Sequence, residues 1–255
     1  MKTICFLNVK GGVAKSTSAI CFSYILAHEY GKRILLCDFD HQANTTGSMG
    51  AYDTNRLSIA DLLTDSQLDI RDVIRKTKYP NIDVIPSNLS LIQANKEILL
   101  DMETDQIHRF SNHVQSIQGD YDYCIIDCFI DLNMATLNAL AYADDVLVPI
   151  KIDAWSFNGL EYLLENINTM RDYNPRLQFA GAFVTMYQKN NLNRQGEEYL
   201  SNLLKDRFFK THIRHTVKVT ESTYEKPLME YAKNSTAAQD YRALVKEYLE
   251  KRGTR

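Results

Sequence analysis

The chain has 255 residues, 45% of them hydrophobic and 24% charged, a balance that suits one α/β domain with a large core and excludes a disordered chain. Its formal net charge of −3 hides an asymmetry, since residues 1–200 carry 17 basic and 25 acidic side chains and residues 201–255 carry 12 and 7, so the total does not exclude a basic face for a polyanion. No apolar stretch reaches the ~20 residues that span a bilayer, and the N-terminus enters a strand at once, leaving no room for a signal peptide. Five cysteines, Cys5, Cys21, Cys37, Cys124 and Cys128, are an odd number without a disulfide framework. They read as small core residues in a reducing, cytoplasmic compartment.

In chain order, the pattern predicts a strand at 3–9, a helix at 16–30 ending at Gly31, and a strand at 33–38. The segment 50–77 is polar and irregular, a rim of helices and loops. Further strands follow at 82–85, 123–127 and 146–150, with a helix at 133–142 between the last two. A helix at 160–170, a strand at 177–186, and helices at 195–204 and 237–251 complete the series. Short apolar strands alternating with helices imply a mostly parallel sheet covered on both faces. No repeat or Pro/Gly-rich linker divides the chain, so one domain over 1–255 is the economical reading.

The most informative stretch is Lys10-Gly11-Gly12-Val13-Ala14-Lys15-Ser16-Thr17, between the first strand and the first helix. A phosphate cradle needs converging backbone N–H groups, with glycines where side chains would block the approach. It also needs a helix N-terminus, a lysine for the β/γ oxygens and a hydroxyl for Mg²⁺. Gly11 and Gly12, the helix from Ser16, Lys15 and Ser16 answer these needs in turn. The standard pattern has glycine where this chain has Val9 and Ala14. A methyl at Ala14 stands to crowd the β-phosphate.

Lys-Gly-Gly-x-x-Lys-[Ser/Thr] resembles the deviant Walker A motif of the ParA/MinD family of P-loop ATPases. By that resemblance Lys10 is the signature lysine, which crosses a homodimer interface to neutralise phosphate charge on the partner's ATP. The segment Asp38-Phe39-Asp40-His41-Gln42-Ala43-Asn44 resembles the family's D-x-D-P-Q-G-N, with His41 for proline and Ala43 for glycine. In the family the second aspartate, here Asp40, belongs with Ser16 and Asp127 to the Mg²⁺ site and orients or activates the attacking water. Tyr123-Cys124-Ile125-Ile126-Asp127 has the Walker B form, which assigns Asp127 to the Mg²⁺ hydration shell. Most members continue with a Pro-Pro pair; this chain has Cys128-Phe129-Ile130-Asp131. The spacing of Asp131 resembles the nitrogenase iron protein branch and suggests a role in positioning water. Asp153 matches an acidic position near the ribose and the dimer contact, and equally suits a helix N-terminal charge. The resemblance implies a P-loop NTPase fold, a mostly parallel twisted sheet of about seven strands with helices on both faces, and ATP with Mg²⁺ as ligands. It also implies slow, partner-stimulated hydrolysis.

Family members of the ParA kind bind DNA non-specifically as ATP dimers. Arg207, Lys210, Arg214 and Lys218, with Lys205, form a basic run opposed only by Asp206. It offers phosphate contacts, though a solvated face has the same look. The P-loop starts ten residues in, so no helix-turn-helix region precedes it and DNA contact is expected to be sequence-independent. The reading is a DNA-segregation ATPase of plasmid or chromosome partition, nucleoid-associated in its ATP state and stimulated by a ParB-like centromere-binding protein. An orphan ATPase that positions a protein cargo is the alternative within the family. MinD-like membrane cycling needs a C-terminal amphipathic helix, whereas 241–252 has core-like spacing with interspersed acids. An iron–sulfur reductase lacks its cysteine pair, and a tyrosine autokinase its C-terminal tyrosine cluster.

Overall fold

A computed structural model describes residues 1–153 and 158–253. Its strands are β1 (Lys2–Phe6), β2 (Ile34–Phe39), β3 (Arg75–Lys76), β4 (Ile82–Ile85), β5 (Tyr123–Cys128), β6 (Asp145–Lys151) and β7 (Gln178–Thr185). They form one sheet in the order β3-β4-β2-β5-β1-β6-β7. All neighbours pair parallel except β3, which runs antiparallel to β4. The six apolar runs of the sequence are the six parallel strands. The first is shorter than its run: the chain leaves the sheet after Phe6 to build the glycine loop. The two-residue β3 lies inside 50–77, where the pattern had indicated only helices and loops. It is too short to carry a period.

Strands buried on both faces need apolar residues at every position, and alternate side chains then feed two cores. Ile4 and Phe6 of β1 pack with helix Lys15–His28 and the C-terminal helix Thr236–Arg252. Cys5 and Leu7 point the other way, into a core closed by helices that include Ile59–Thr64, Ser90–Leu100 and Met134–Tyr142. All five cysteines are buried and free, as their core placement required. The C-terminal helix spends its apolar face on the sheet: Tyr241, Leu244, Val245 and Tyr248 are buried. The Tyr248 hydroxyl donates to Asp145 Oδ2 at 2.7 Å. Among the described residues no helix is long and apolar enough to cross a membrane.

From β1 the chain passes over β5 to reach β2, while β6 lies on the other side of β1. The loop after β1 therefore sits at a switch point, at the C-terminal ends of the strands, where open α/β sheets bind ligands.

Candidate functional site

The loop after β1 winds back on itself through two residues in the left-handed region, Gly12 (φ 68) and Ala14 (φ 66, ψ 34). Ala14 is the N-cap of helix Lys15–His28, and its carbonyl accepts from Ser18 N at 3.0 Å and Ser18 Oγ at 2.7 Å. The free N–H groups of the first helical turn are thereby aimed at the loop's concavity. Lys15 is buried, its ammonium 3.2 Å from the Lys10 carbonyl. Burial lowers its pKa, against the nearby charges of Asp127 and Asp40.

Across the β2–β5 pair, Asp38 is in register with Asp127. Their strand neighbours Leu36 and Ile125 belong to the core beneath helix Lys15–His28, so both carboxylates face that helix. Asp38 is fully buried; its Oδ2 accepts from Thr46 N at 2.8 Å and Thr46 Oγ1 at 2.7 Å, and its Oδ1 from Asp40 N at 3.1 Å. Desolvation, then the charge of Asp127, pushes its pKa up to about 8. Asp127 is equally buried, and burial raises it to about 6 against the hydroxyls of Ser16 and Thr45. Thr45 Oγ1 donates to its Oδ2 at 2.7 Å. Asp127 Oδ1 is buried with no hydrogen-bond partner among the described residues. An orphaned carboxylate oxygen beside a serine hydroxyl is what a hard divalent cation with a partial water shell requires. No three His, Cys, Asp or Glu side chains among the described residues converge as a metal cage. Asp40 is buried at the exit of β2, and its Oδ1 accepts from Gln42 N at 2.8 Å.

The glycine loop, the first turn of helix Lys15–His28 and the exit of β2 border a cavity of about 550 Å³, whereas Asp38 and Asp127 are buried and not among its lining residues. Of the residues anticipated from the sequence, Gly12, Val13, Ala14, Lys15, Ser16, Thr17 and Asp40 line it. Gly11 lies just outside. Lys10 is turned away as well: its ammonium is bonded to Asp153, and its N–H donates to Asn8 Oδ1 at 3.0 Å. Asp131 is exposed, outside the lining, with its Oδ1 accepting from Leu132 N at 2.8 Å. The opposite wall comes from Ser222, Thr223, Pro227 and Leu228, two hundred residues downstream. Only the fold brings these four to the site. Thr45 and Thr46 were also missed as site residues, although two threonines directly after the aspartate segment are the signal that would have found them.

The basic run differs from its sequence picture. Residues 208–215 lie along the free edge of β7 as a parallel extension. Phe209 N donates to Ala182 O at 2.9 Å, Ile213 N to Val184 O at 2.8 Å and His215 N to Tyr187 O at 2.9 Å. Phe208, Phe209 and Ile213 are buried there. The run had seemed opposed only by Asp206, yet Arg214 grips Asp240 through Nε and Nη2 (2.9 and 2.7 Å) and Lys218 Nζ lies 2.7 Å from Glu221. These acids come from elsewhere in the chain or from the next helical turn. Arg207 lies over the Phe179 ring, 6.0 Å from its centroid, and Lys210 is exposed, its backbone N–H on Glu247.

Comparison with known proteins agrees with this geometry. A family model described as an AAA domain matches residues 1–179. The sporulation initiation inhibitor protein Soj of Bacillus subtilis is 32% identical over 250 residues, covering 96% of this chain and 97% of Soj. The chromosome-partitioning ATPase Soj of Treponema pallidum is 32% identical over 257 residues, covering 100% and 99%. The crystal structure of cobyrinic acid a,c-diamide synthase from Mycobacterium smegmatis, with bound ATP analogue and magnesium, superposes with a TM-score of 0.86 at 25% identity, covering 100% of this chain and 96% of that one. With a deviant phosphate loop, a pair of buried carboxylates in register on adjacent strands and full-length relatives of this kind, the chain belongs to the ParA/Soj family of P-loop partition ATPases.

Proposed function

We propose that the protein is an ATP hydrolase of DNA segregation that closes as a homodimer on Mg²⁺·ATP and binds DNA without sequence preference in that state. The observation that carries this reading is the opposite placement of two lysines five residues apart. Lys15 lines the cavity, whereas Lys10 lies outside it, held by Asp153 on its own chain. A cation outside its own site, on the rim of that site, is placed to serve a facing copy.

The loop N–H groups and Lys15 bind the phosphates, and phosphate charge offsets the cost of burying that ammonium. Ser16 and Asp127 would hold Mg²⁺, which when bound neutralises charge on the phosphate oxygens. Asp40 orients the attacking water from the cavity wall. Asp131 has its carboxylate on its own loop; its part in positioning water is tested by single-turnover hydrolysis with Asp131→Ala, where an unchanged rate removes it. Arg207, Lys210, Arg214 and Lys218 are the proposed DNA contacts, and the last two must exchange carboxylate partners for phosphates. A ParB-like protein is the proposed stimulator of a slow basal rate, in the cytoplasm and on the nucleoid. The buried apolar face of the C-terminal helix supports leaving the membrane out of the cycle.

The test is retention on arbitrary DNA with ATP, ADP or no nucleotide, together with mass in solution, for wild type, Lys15→Ala and Lys10→Ala. ATP-only retention and dimerisation, lost in both variants, are expected. Binding indifferent to nucleotide, or a Lys10→Ala protein that assembles and turns over normally, refutes the reading.

A further inference from the structure

Two segments where the ParA/MinD pattern carries proline carry aromatic side chains here, and the two rings touch. His41 is the second residue of the turn closed by Ala43 N–H donating to the Asp40 carbonyl at 2.9 Å. Proline favours that position because its ring presets the backbone angle. The His41 N–H donates to no group among the described residues, so nothing in the backbone requires a residue other than proline. Without that restraint, and ending on a left-handed alanine (Ala43, φ 54), the turn is weakly specified by its own sequence. Phe129 leaves the neighbouring strand two residues after Asp127, where most family members have a Pro-Pro pair. Its ring centroid is 4.4 Å from that of His41, tilted by 52°, and both residues are half-buried. Each ring is thus one or two residues from a carboxylate of the site, Asp40 on one side and Asp127 on the other. The next residue, Ile130, brings Cγ2 to 4.0 Å from where a side chain on Gly11 would begin, so the same loop also abuts the phosphate loop.

We propose that His41 and Phe129 are a positioning pair: their ring contact clamps the loop of Asp40 to the loop after Asp127 and so fixes the spacing of the hydrolytic carboxylates. A tertiary contact does here what covalent restraint does in proline-bearing relatives. Neither ring takes part in the chemistry, and the pair acts through Asp40 and Asp127. The inference rests on the ATPase reading above.

Steady-state kcat and KM for Mg²⁺·ATP are measured for wild type, His41→Ala, Phe129→Ala, the double variant, His41→Pro and His41→Pro/Phe129→Ala. Each alanine variant is expected to lower kcat about fivefold, the rate equivalent of an aromatic pair's coupling, with KM within about twofold. The double alanine variant should be no slower than the slower single. In the His41→Pro background the Phe129→Ala penalty should shrink to less than about twofold, because proline makes the clamp redundant. Additive losses, an equal Phe129→Ala penalty in both backgrounds, or single effects below about twofold overturn the proposal. Phe129→Leu, which keeps apolar bulk without a ring, replaces Phe129→Ala if circular dichroism reveals a folding defect, with the same outcomes. A wild type that does not hydrolyse ATP refutes the ATPase reading alone. The pair is then judged by the rise in thermal midpoint that Mg²⁺·ADP produces: loss of that rise in both alanine variants and recovery with proline support it, and an undiminished rise overturns it.

Discussion

Replacing Ala14 by glycine should stabilise the protein, a sign opposite to that of an alanine-to-glycine change inside a helix. Ala14 is held at φ 66, ψ 34, where a residue with a β-carbon pays about 1–2 kcal/mol that glycine does not. Glycine gives back about 0.4–1 kcal/mol through its freer unfolded chain. The balance spans about 0–1.6 kcal/mol and centres near 0.8 kcal/mol in favour of Ala14→Gly, or about 2–3 °C in Tm for a chain of this length. Urea unfolding without nucleotide measures it, because an unchanged m-value separates stability from a change in compactness. Ala43→Gly should share the sign, since Ala43 caps helix Asn44–Ser48 at φ 54. Ala19→Gly is the counter-control. Ala19 is buried inside helix Lys15–His28, where glycine costs about 1 kcal/mol in propensity alone. If Ala14→Gly moved the midpoint down alongside Ala19→Gly, left-handed strain would not be what distinguishes this loop. Because Ala14 borders the cavity, Mg²⁺·ATP should also bind more tightly once the methyl is gone.

Three further outcomes follow from the same contacts. Thr46→Val should cost about 2–4 kcal/mol in urea, because Thr46 Oγ1 donates to Asp38 Oδ2 (2.7 Å) and accepts from Ser87 N (2.8 Å) in a fully buried setting; Thr46→Ser should retain most of it, and a Val variant as stable as wild type rules the network out. Asp38 and Asp127 hold their protons more tightly in the fold than in the unfolded chain, so the contribution of this pair to unliganded stability is full below about pH 4 and is lost as pH rises through about 6 and 8. The stabilisation by Mg²⁺·ADP should therefore widen over that range, and thermal melts of Asp127→Asn should show a flatter profile; an identical slope in the variant contradicts the assignment. Asp240→Ala releases Arg214, so DNA retention in the ATP state should strengthen and the log–log salt slope should steepen by about one contact, whereas an unaltered slope removes Arg214 from the DNA surface.

The parallel strands were legible because residues buried on both faces leave continuous apolar runs, and 82–85 was read to the residue as β4. What escaped was short or held by distant contacts. β3 has two residues, and helix Arg109–Val114 is anchored by Phe110 N–H donating to Asn138 Oδ1 at 3.1 Å, which no local period encodes. At the site, glycines and lysines betray the phosphate loop because their chemistry is bound to spacing. Lys226-Pro227 continues the family resemblance, yet that Pro227 and Ser222 line the cavity becomes visible only after the chain has crossed the sheet. The basic run shows the reverse error. Charge is visible in sequence, but its neutralisation by Asp240, twenty-six residues from Arg214, is not.

The register of Asp38 with Asp127 gives the site its character. Two carboxylates side by side on adjacent strands, both fully buried, are costly unless positive charge arrives, because desolvation and mutual repulsion act in the same direction. Among the described residues Lys15 brings its ammonium near, and Asp127 Oδ1 is left without a hydrogen-bond partner. Thr45 and Thr46 hold Oδ2 of Asp127 and of Asp38 with their hydroxyls, and the Asp40 N–H holds Asp38 Oδ1, neutral donors that fix orientation without cancelling charge. The unliganded site is thus folded but electrostatically unfinished. A cation delivered with nucleotide completes it, and the gain is largest where the acids would otherwise have to keep their protons. The same two strands end in the loops that carry Asp40, His41 and Phe129, so in the proposed cycle a change in the charge balance of the pair bears directly on those loops.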